Sequence, residues 1–239
     1  MKIVEKFKAK NEDRLETGVT IGFLGDSVTQ GCFELYRKTP EQLATVFDKN
    51  SVYHNCIYKI FSLLYPNVPV NIINGGISGT GAVNGLKRLE RDVLSHNPDL
   101  VVVCFGLNDC RNGIEGIEKY KNALEEIFIK VLDAGKEVIF MTPNMINTSI
   151  SPHINDDMIL DNAKELMEIQ NSGIMDKYME AAKQACEKHN VRVCDCYSKW
   201  KMLYNSGVDV TELLSNKVNH PVREMHWLFA TMLVDTMLS

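Results

Sequence analysis

Short runs of apolar, largely β-branched residues alternate along the chain with longer stretches whose apolar positions recur at helical spacing. Five runs read as strands: residues 19–24, 70–73, 100–105, 138–142 and 191–194. The third contains three consecutive valines. Such unbroken apolar character marks a strand covered on both faces, since a half-exposed strand would alternate. Helical stretches follow at 51–65, 81–95, 117–134 and 161–189, with Gly135 placed to end the third and Ser172-Gly173 to interrupt the fourth. A last helix is predicted from near Pro221 to Leu238. Strand and helix in alternation predict an α/β fold: one doubly wound, flavodoxin-like, five-stranded parallel sheet with helices on both faces. No repeat, linker or low-complexity segment divides the chain, so residues 1–239 are expected to form a single domain.

Composition narrows the function. A chain of 239 residues buries about 70–75% of its unfolded surface and needs no staple of disulfide or metal. A net charge of −5 lacks the basic footprint of a nucleic-acid binder. Seven cysteines, an odd number with no C-x-x-C pair, read as reduced, packed thiols. The amino-terminal residues 1–16 are lysine-rich but lack the apolar core of a signal peptide, and the longest apolar run, 100–107, is far short of the ~20 residues that cross a bilayer. A soluble, cytoplasmic protein with neither nucleic-acid nor membrane partner is therefore expected. His54, His96, His153, His189 and His226 show no metal-site spacing, and no metal or other cofactor is expected.

In a doubly wound sheet the chemistry lies at the carboxyl ends of the strands. Three loops there, and a fourth segment before the last helix, carry unusual residues. Gly25-Asp26-Ser27 follows the first strand, where a serine can present its hydroxyl beside backbone N–H groups, or can simply cap a helix. Asn74-Gly75-Gly76-Ile77-Ser78-Gly79-Thr80-Gly81 follows the second; it allows close approach of backbone to ligand, but it is neither G-x-G-x-x-G nor a Walker loop, and plain turn chemistry competes. Gly106-Leu107-Asn108-Asp109 follows the third, with an amide that could donate to an oxyanion or form an Asx-turn. Asn219-His220-Pro221 precedes the last helix, with proline at its first position.

Taken together and in this order, the four blocks resemble those of the SGNH, or GDSL-type, serine esterase and lipase family over residues 23–230. The resemblance implies that Ser27 is the nucleophile and His220 the base, with the Ser27 and Gly79 N–H groups and the Asn108 side chain forming the oxyanion hole. It implies hydrolysis of a small-molecule or carbohydrate ester, an acetylated sugar among them, through an acyl-serine and without a cofactor. An acyltransferase or thioesterase on the same site, and a silent carbohydrate-binding domain, are the alternatives.

Two departures stand out. The family places an aspartate three residues before the histidine, where this chain has Lys217. The imidazole must then be held by a backbone carbonyl, an asparagine oxygen, or a distant acid such as Asp209 or Glu212, and a Ser–His dyad is the leading option. The second departure is the long stretch 32–50, whose Phe33, Leu35, Tyr36, Leu43, Val46 and Phe47 make it too apolar for a solvated linker. It is expected to wall the acyl or alcohol pocket, with Asp26, Phe33 and Tyr36 as substrate-contacting residues; a homo-oligomer interface is the competing fate. His226 should fall inside the last helix and serve stability rather than catalysis.

Overall fold

Val101, Val102 and Val103 are fully buried in the central strand of a five-stranded parallel sheet. The computed structural model describes residues 1–239 throughout. With elements numbered in chain order, the sheet consists of β1 (Val19–Gly25), β4 (Val70–Gly76), β5 (Leu100–Cys104), β6 (Glu137–Met141) and β7 (Arg192–Cys194), ordered β4-β1-β5-β6-β7. This is the doubly wound arrangement that the apolar runs predict, with strand ends shifted by three residues at most.

Helices cover both faces. On one side α3 (Tyr53–Leu64) packs on α9 (Met225–Leu238), joined by α1 (Lys2–Glu12) and α8 (Cys196–Asn205); on the other α4 (Ala82–Asp92) meets α5 (Ile117–Asp133), which meets α7 (Ile174–Lys188) beside α6 (Asp157–Asn171). The interruption at Ser172-Gly173 is present, with Gly173 at φ 76° between α6 and α7. One cluster of 58 buried residues runs through both layers.

Three differences from the sequence pattern have local causes. Helix α1 buries only Ile3 and Phe7, Phe7 stacking on Phe61 at 4.5 Å and Tyr65 at 4.7 Å; two apolar anchors are too sparse a period to read as a helix. Helix α9 begins at Met225 rather than Pro221, because Pro221 pairs with Leu214 and the Val222 N–H donates to the Leu213 carbonyl, which holds the segment extended. The stretch 32–50, expected as a connection, is an antiparallel hairpin, β2 (Cys32–Thr39) and β3 (Gln42–Phe47), outside the main sheet.

The sheet register brings the functional loops to one level. Gly25 is the last residue of β1 and pairs with Gly76 on one side and Cys104 on the other. The segments that follow therefore leave the sheet side by side: Ser27 in the short helix α2 (Ser27–Gln30), then the glycine loop, then Asn108. The approach is very close. A Cβ on Gly76 would lie 2.3 Å from the backbone nitrogen of Gln30 and 2.7 Å from the carbonyl carbon of Thr29, atoms that cannot yield without moving α2. Gly76→Ala should cost about 1–3 kcal/mol by overpacking and lower Tm by roughly 2–12 °C, with displacement of Ser27. An unchanged melting curve with full activity would show that α2 is not wedged against β4.

Candidate active site

Asp26 caps α2, its Oδ1 accepting the Val28 N–H at 3.0 Å, and so sets Ser27 at the first position of that helix. Ser27 is 3% exposed, with its hydroxyl turned to the histidine segment. His220 Nε2 lies 3.0 Å from Ser27 Oγ, and His220 Nδ1 lies 2.7 Å from the main-chain oxygen of Phe33. A carbonyl oxygen can only accept, so Nδ1 carries the proton and Nε2 presents its lone pair to the serine hydroxyl. The tautomer required for a general base is thus selected without a carboxylate.

No carboxylate is hydrogen-bonded to this imidazole. Glu212 is ion-paired with Lys217 at 2.7 Å and accepts from Ser151 at 2.9 Å, while Asp209 accepts the Thr211 N–H at 3.0 Å. Lys217, at the family's aspartate position, has φ 58° and forms part of a tight turn. The turn is organised by Asn216, whose Oδ1 accepts the N–H groups of Val218, Asn219 and His220 at 2.9–3.0 Å. Of the alternatives open to the sequence, the backbone carbonyl is the one realised, and it comes from the hairpin.

Burial sets the electrostatics. It pushes His220 down to about 4, against the opposing pull of the Phe33 carbonyl and the Glu34 charge. It also lowers His226 to about 3 and His54 to about 4. Asp26 is pushed up to about 7, chiefly by burial, with Asp109 adding like charge against the pull of the Val28 N–H. Asp109 rises to about 6 by burial.

The other two blocks are tied to the first by hydrogen bonds. The Ile77 N–H donates to the Gly25 carbonyl at 3.1 Å and the Ser78 N–H to Gln30 Oε1 at 2.7 Å, which fastens the glycine loop to α2. Asn108 Nδ2 donates to the Thr80 carbonyl at 3.0 Å, and Asp109 Oδ1 accepts the Ala82 N–H at 2.9 Å, which fastens the asparagine loop to the glycine loop. Gly79 has φ 73°, open space where a Cβ would stand, and an N–H with no acceptor in the chain. Gly79 and Asn108 share a cavity of about 580 Å³ with Asn84, Lys87, Asn112 and Lys119.

The other substrate-contact expectations fare differently. Asp26 and Phe33 cannot touch substrate through their side chains, because both are fully buried. Asp26 is spent on the helix cap, and the Phe33 ring packs 5.0 Å from the His226 ring. Tyr36 is 49% exposed, but it lines a different cavity of about 400 Å³, next to Asn216 and Lys217. His226 lies within α9 as expected, fully buried, with Nδ1 accepting the Tyr53 N–H at 3.1 Å.

Two arginines outside the four sequence blocks also hold the site. Arg88 is buried on α4 and donates to the carbonyls of Gly25, at 2.7 Å, and of Gly75, so it clamps the ends of β1 and β4. A signal was available: position 88 shares the buried face of α4 with Ala82, Gly85 and Leu89. Arg223 contacts the hairpin, and nothing in its local pattern announces it.

A histidine base must be neutral to accept a serine proton, so an esterase activity that used His220 is expected to fall as pH drops through the pKa of that ring. The acid limb of kcat/KM should lie well below the usual imidazole value of about 6.5, at about 4. Asp209→Asn and Glu212→Gln should leave that limb and kcat within about twofold, because neither acid touches the imidazole. A limb at 6.5 or above, or collapse of activity in either variant, would mean that a carboxylate supports the histidine.

The chain matches the family model described as GDSL-like lipase/acylhydrolase over residues 23–228. It is 24% identical over 139 residues to an acetylxylan esterase of Geobacillus stearothermophilus, an alignment covering 54% of this chain and 62% of that protein. It is 29% identical over 161 residues to an arylesterase of Vibrio mimicus, covering 62% of this chain and 76% of that protein. The crystal structure of an acetylxylan esterase from Geobacillus stearothermophilus superposes with a TM-score of 0.67 at 22% identity, covering 92% of this chain and 94% of that one, which shows a shared fold. The match to the family model spans most of the chain, and the chain belongs to the GDSL-like lipase/acylhydrolase family.

Proposed function

We propose that this protein is a serine esterase acting on small carboxylic esters, with acetylated carbohydrates as the preferred class. The observation that carries the reading is the continuous array from the Phe33 carbonyl through His220 to Ser27, at 2.7 and 3.0 Å. In the proposed reaction Ser27 Oγ attacks the ester carbonyl carbon as its proton passes to His220 Nε2. The C–O double bond opens to an oxyanion held by the Gly79 N–H and the Asn108 amide, with the Ser27 N–H as a third donor. Collapse expels the alcohol, which takes the proton from Nε2, and leaves an acyl-serine. Water then repeats the sequence, giving up a proton to His220 and releasing the acid.

The cavity around Gly79 and Asn108 supports a hydroxyl-rich alcohol. Asn84, Lys87, Asn112 and Lys119 line it with hydrogen-bond donors. The likeness to an acetylxylan esterase points the same way. We place the alcohol portion in this cavity.

Fluorophosphonate labelling, followed by hydrolysis of p-nitrophenyl acetate and of acetylated xylo-oligosaccharides, tests the proposal. Labelling should map to Ser27 and vanish in Ser27→Ala. Asn108→Ala should lower kcat by roughly 10²–10³ with a much smaller change in KM, since an oxyanion donor acts on the transition state. Absence of labelling in the wild-type protein would leave a binding module in place of an enzyme. A change confined to KM would make Asn108 a ground-state contact.

A further inference from the structure

The Phe33 carbonyl belongs to a hairpin outside the main sheet, and a lone two-stranded hairpin is marginally stable. Something must therefore hold that oxygen against His220. The pairing of β2 with β3 breaks register between Cys32 and Leu35, so Phe33 and Glu34 lie in an irregularity of the ladder. Such bulges re-aim backbone groups, here turning one carbonyl toward the imidazole.

Arg223 embraces this irregularity. Its guanidinium sits 4.3 Å over the Phe33 ring, Nη2 donates to Glu34 Oε2 at 3.1 Å, Nη1 donates to Glu34 Oε1, and Nε donates to Asp48 Oδ2 at 2.9 Å. One side chain thus grips the residue bearing the carbonyl, its neighbour, and the residue that follows β3. It does so from a position three residues beyond His220, on the segment that carries the imidazole.

We propose that Arg223 is a positioning residue that docks the hairpin to the histidine segment and keeps the Phe33 carbonyl on His220 Nδ1. Resting on the esterase reading, the inference assigns to a main-chain carbonyl and an arginine clamp the work that an aspartate side chain does in related sites. The ion pair is weak as a source of stability, because Arg223 and Glu34 are 34% and 40% exposed, and pairs so placed contribute about 0–1 kcal/mol. Its loss should therefore register in geometry at the imidazole far more than in the melting temperature.

The test compares Arg223→Gln, Arg223→Lys and, as a control, Arg37→Gln, which breaks the hairpin's other ion pair, to Asp156. Arg223→Gln should slow fluorophosphonate labelling and lower kcat by about 10- to 100-fold with KM within about twofold, since small displacements of a catalytic group carry penalties of that order. Arg223→Lys, which keeps one charged contact, should recover part of the loss, and Arg37→Gln should label at nearly the wild-type rate.

A second readout needs no activity. In nitrogen-edited NMR, the Nδ1 proton of His220 should exchange with solvent about tenfold faster in Arg223→Gln, as the carbonyl contact opens more often. A wild-type protein that fails to label overturns the esterase reading, and the exchange comparison then decides the clamp by itself. Unchanged Nδ1 exchange, wild-type labelling in Arg223→Gln, or an equal loss in Arg37→Gln would overturn the role given to Arg223.

Discussion

The hydrogen bond from His220 Nδ1 to the Phe33 carbonyl organises this site, because one contact selects both the tautomer and the orientation of the imidazole. A carbonyl and a carboxylate both accept from Nδ1–H, so either one aims the lone pair of Nε2 at the serine. They differ in charge. A carboxylate would favour the imidazolium and raise the basicity of the ring, whereas a neutral carbonyl leaves burial to dominate and the ring neutral well below the usual range. Such a base holds its working form across a broad acidic range but has a smaller affinity for the serine proton. In the proposed reaction the oxyanion donors would then supply a larger share of transition-state stabilisation.

The rest of the fold serves that contact by locking loops to one another. Arg88 ties the ends of β1 and β4 next to the Ser27 segment, and Asp109 and Asn108 tie the third loop to the second. Asn216 shapes the turn that delivers His220, with its oxygen shared among three N–H groups. The first two sets of ties join separate segments at the carboxyl edge of the sheet, where the parallel strands release their loops at a common level, while the Asn216 bonds are local to the histidine turn. Ser27 and His220 therefore meet with little freedom left to either.

The central sheet and the four chemical blocks were legible in the sequence because each rests on a local signal. Unbroken valines mark a doubly covered strand, and Gly25-Asp26-Ser27 and His220-Pro221 are short, contiguous motifs. What escaped depends on contacts between distant segments. The substitute for the aspartate is a main-chain atom, and no side-chain pattern encodes which of many carbonyls will face an imidazole. The apolar character of 32–50 predicts a wall for substrate, yet Phe33 turns its ring into the core and meets His220 through its backbone. Asp26, expected as a substrate contact, is instead claimed as a cap by the helix end behind the serine. Arg223 gains meaning only when the hairpin folds back upon it.

The protonation state of His220 itself is the most direct measurement. In long-range proton–nitrogen correlation spectra of histidine-labelled protein, a bond to the Phe33 carbonyl requires a neutral ring at pH 7. Nδ1 must then appear as the protonated, pyrrole-type nitrogen and Nε2 as the bare, pyridine-type one. That pattern should persist on acidification to about pH 5, because burial holds the ring near 4. A ring protonated on Nε2 at neutral pH, or a full imidazolium already formed at pH 6, would contradict a carbonyl-held base.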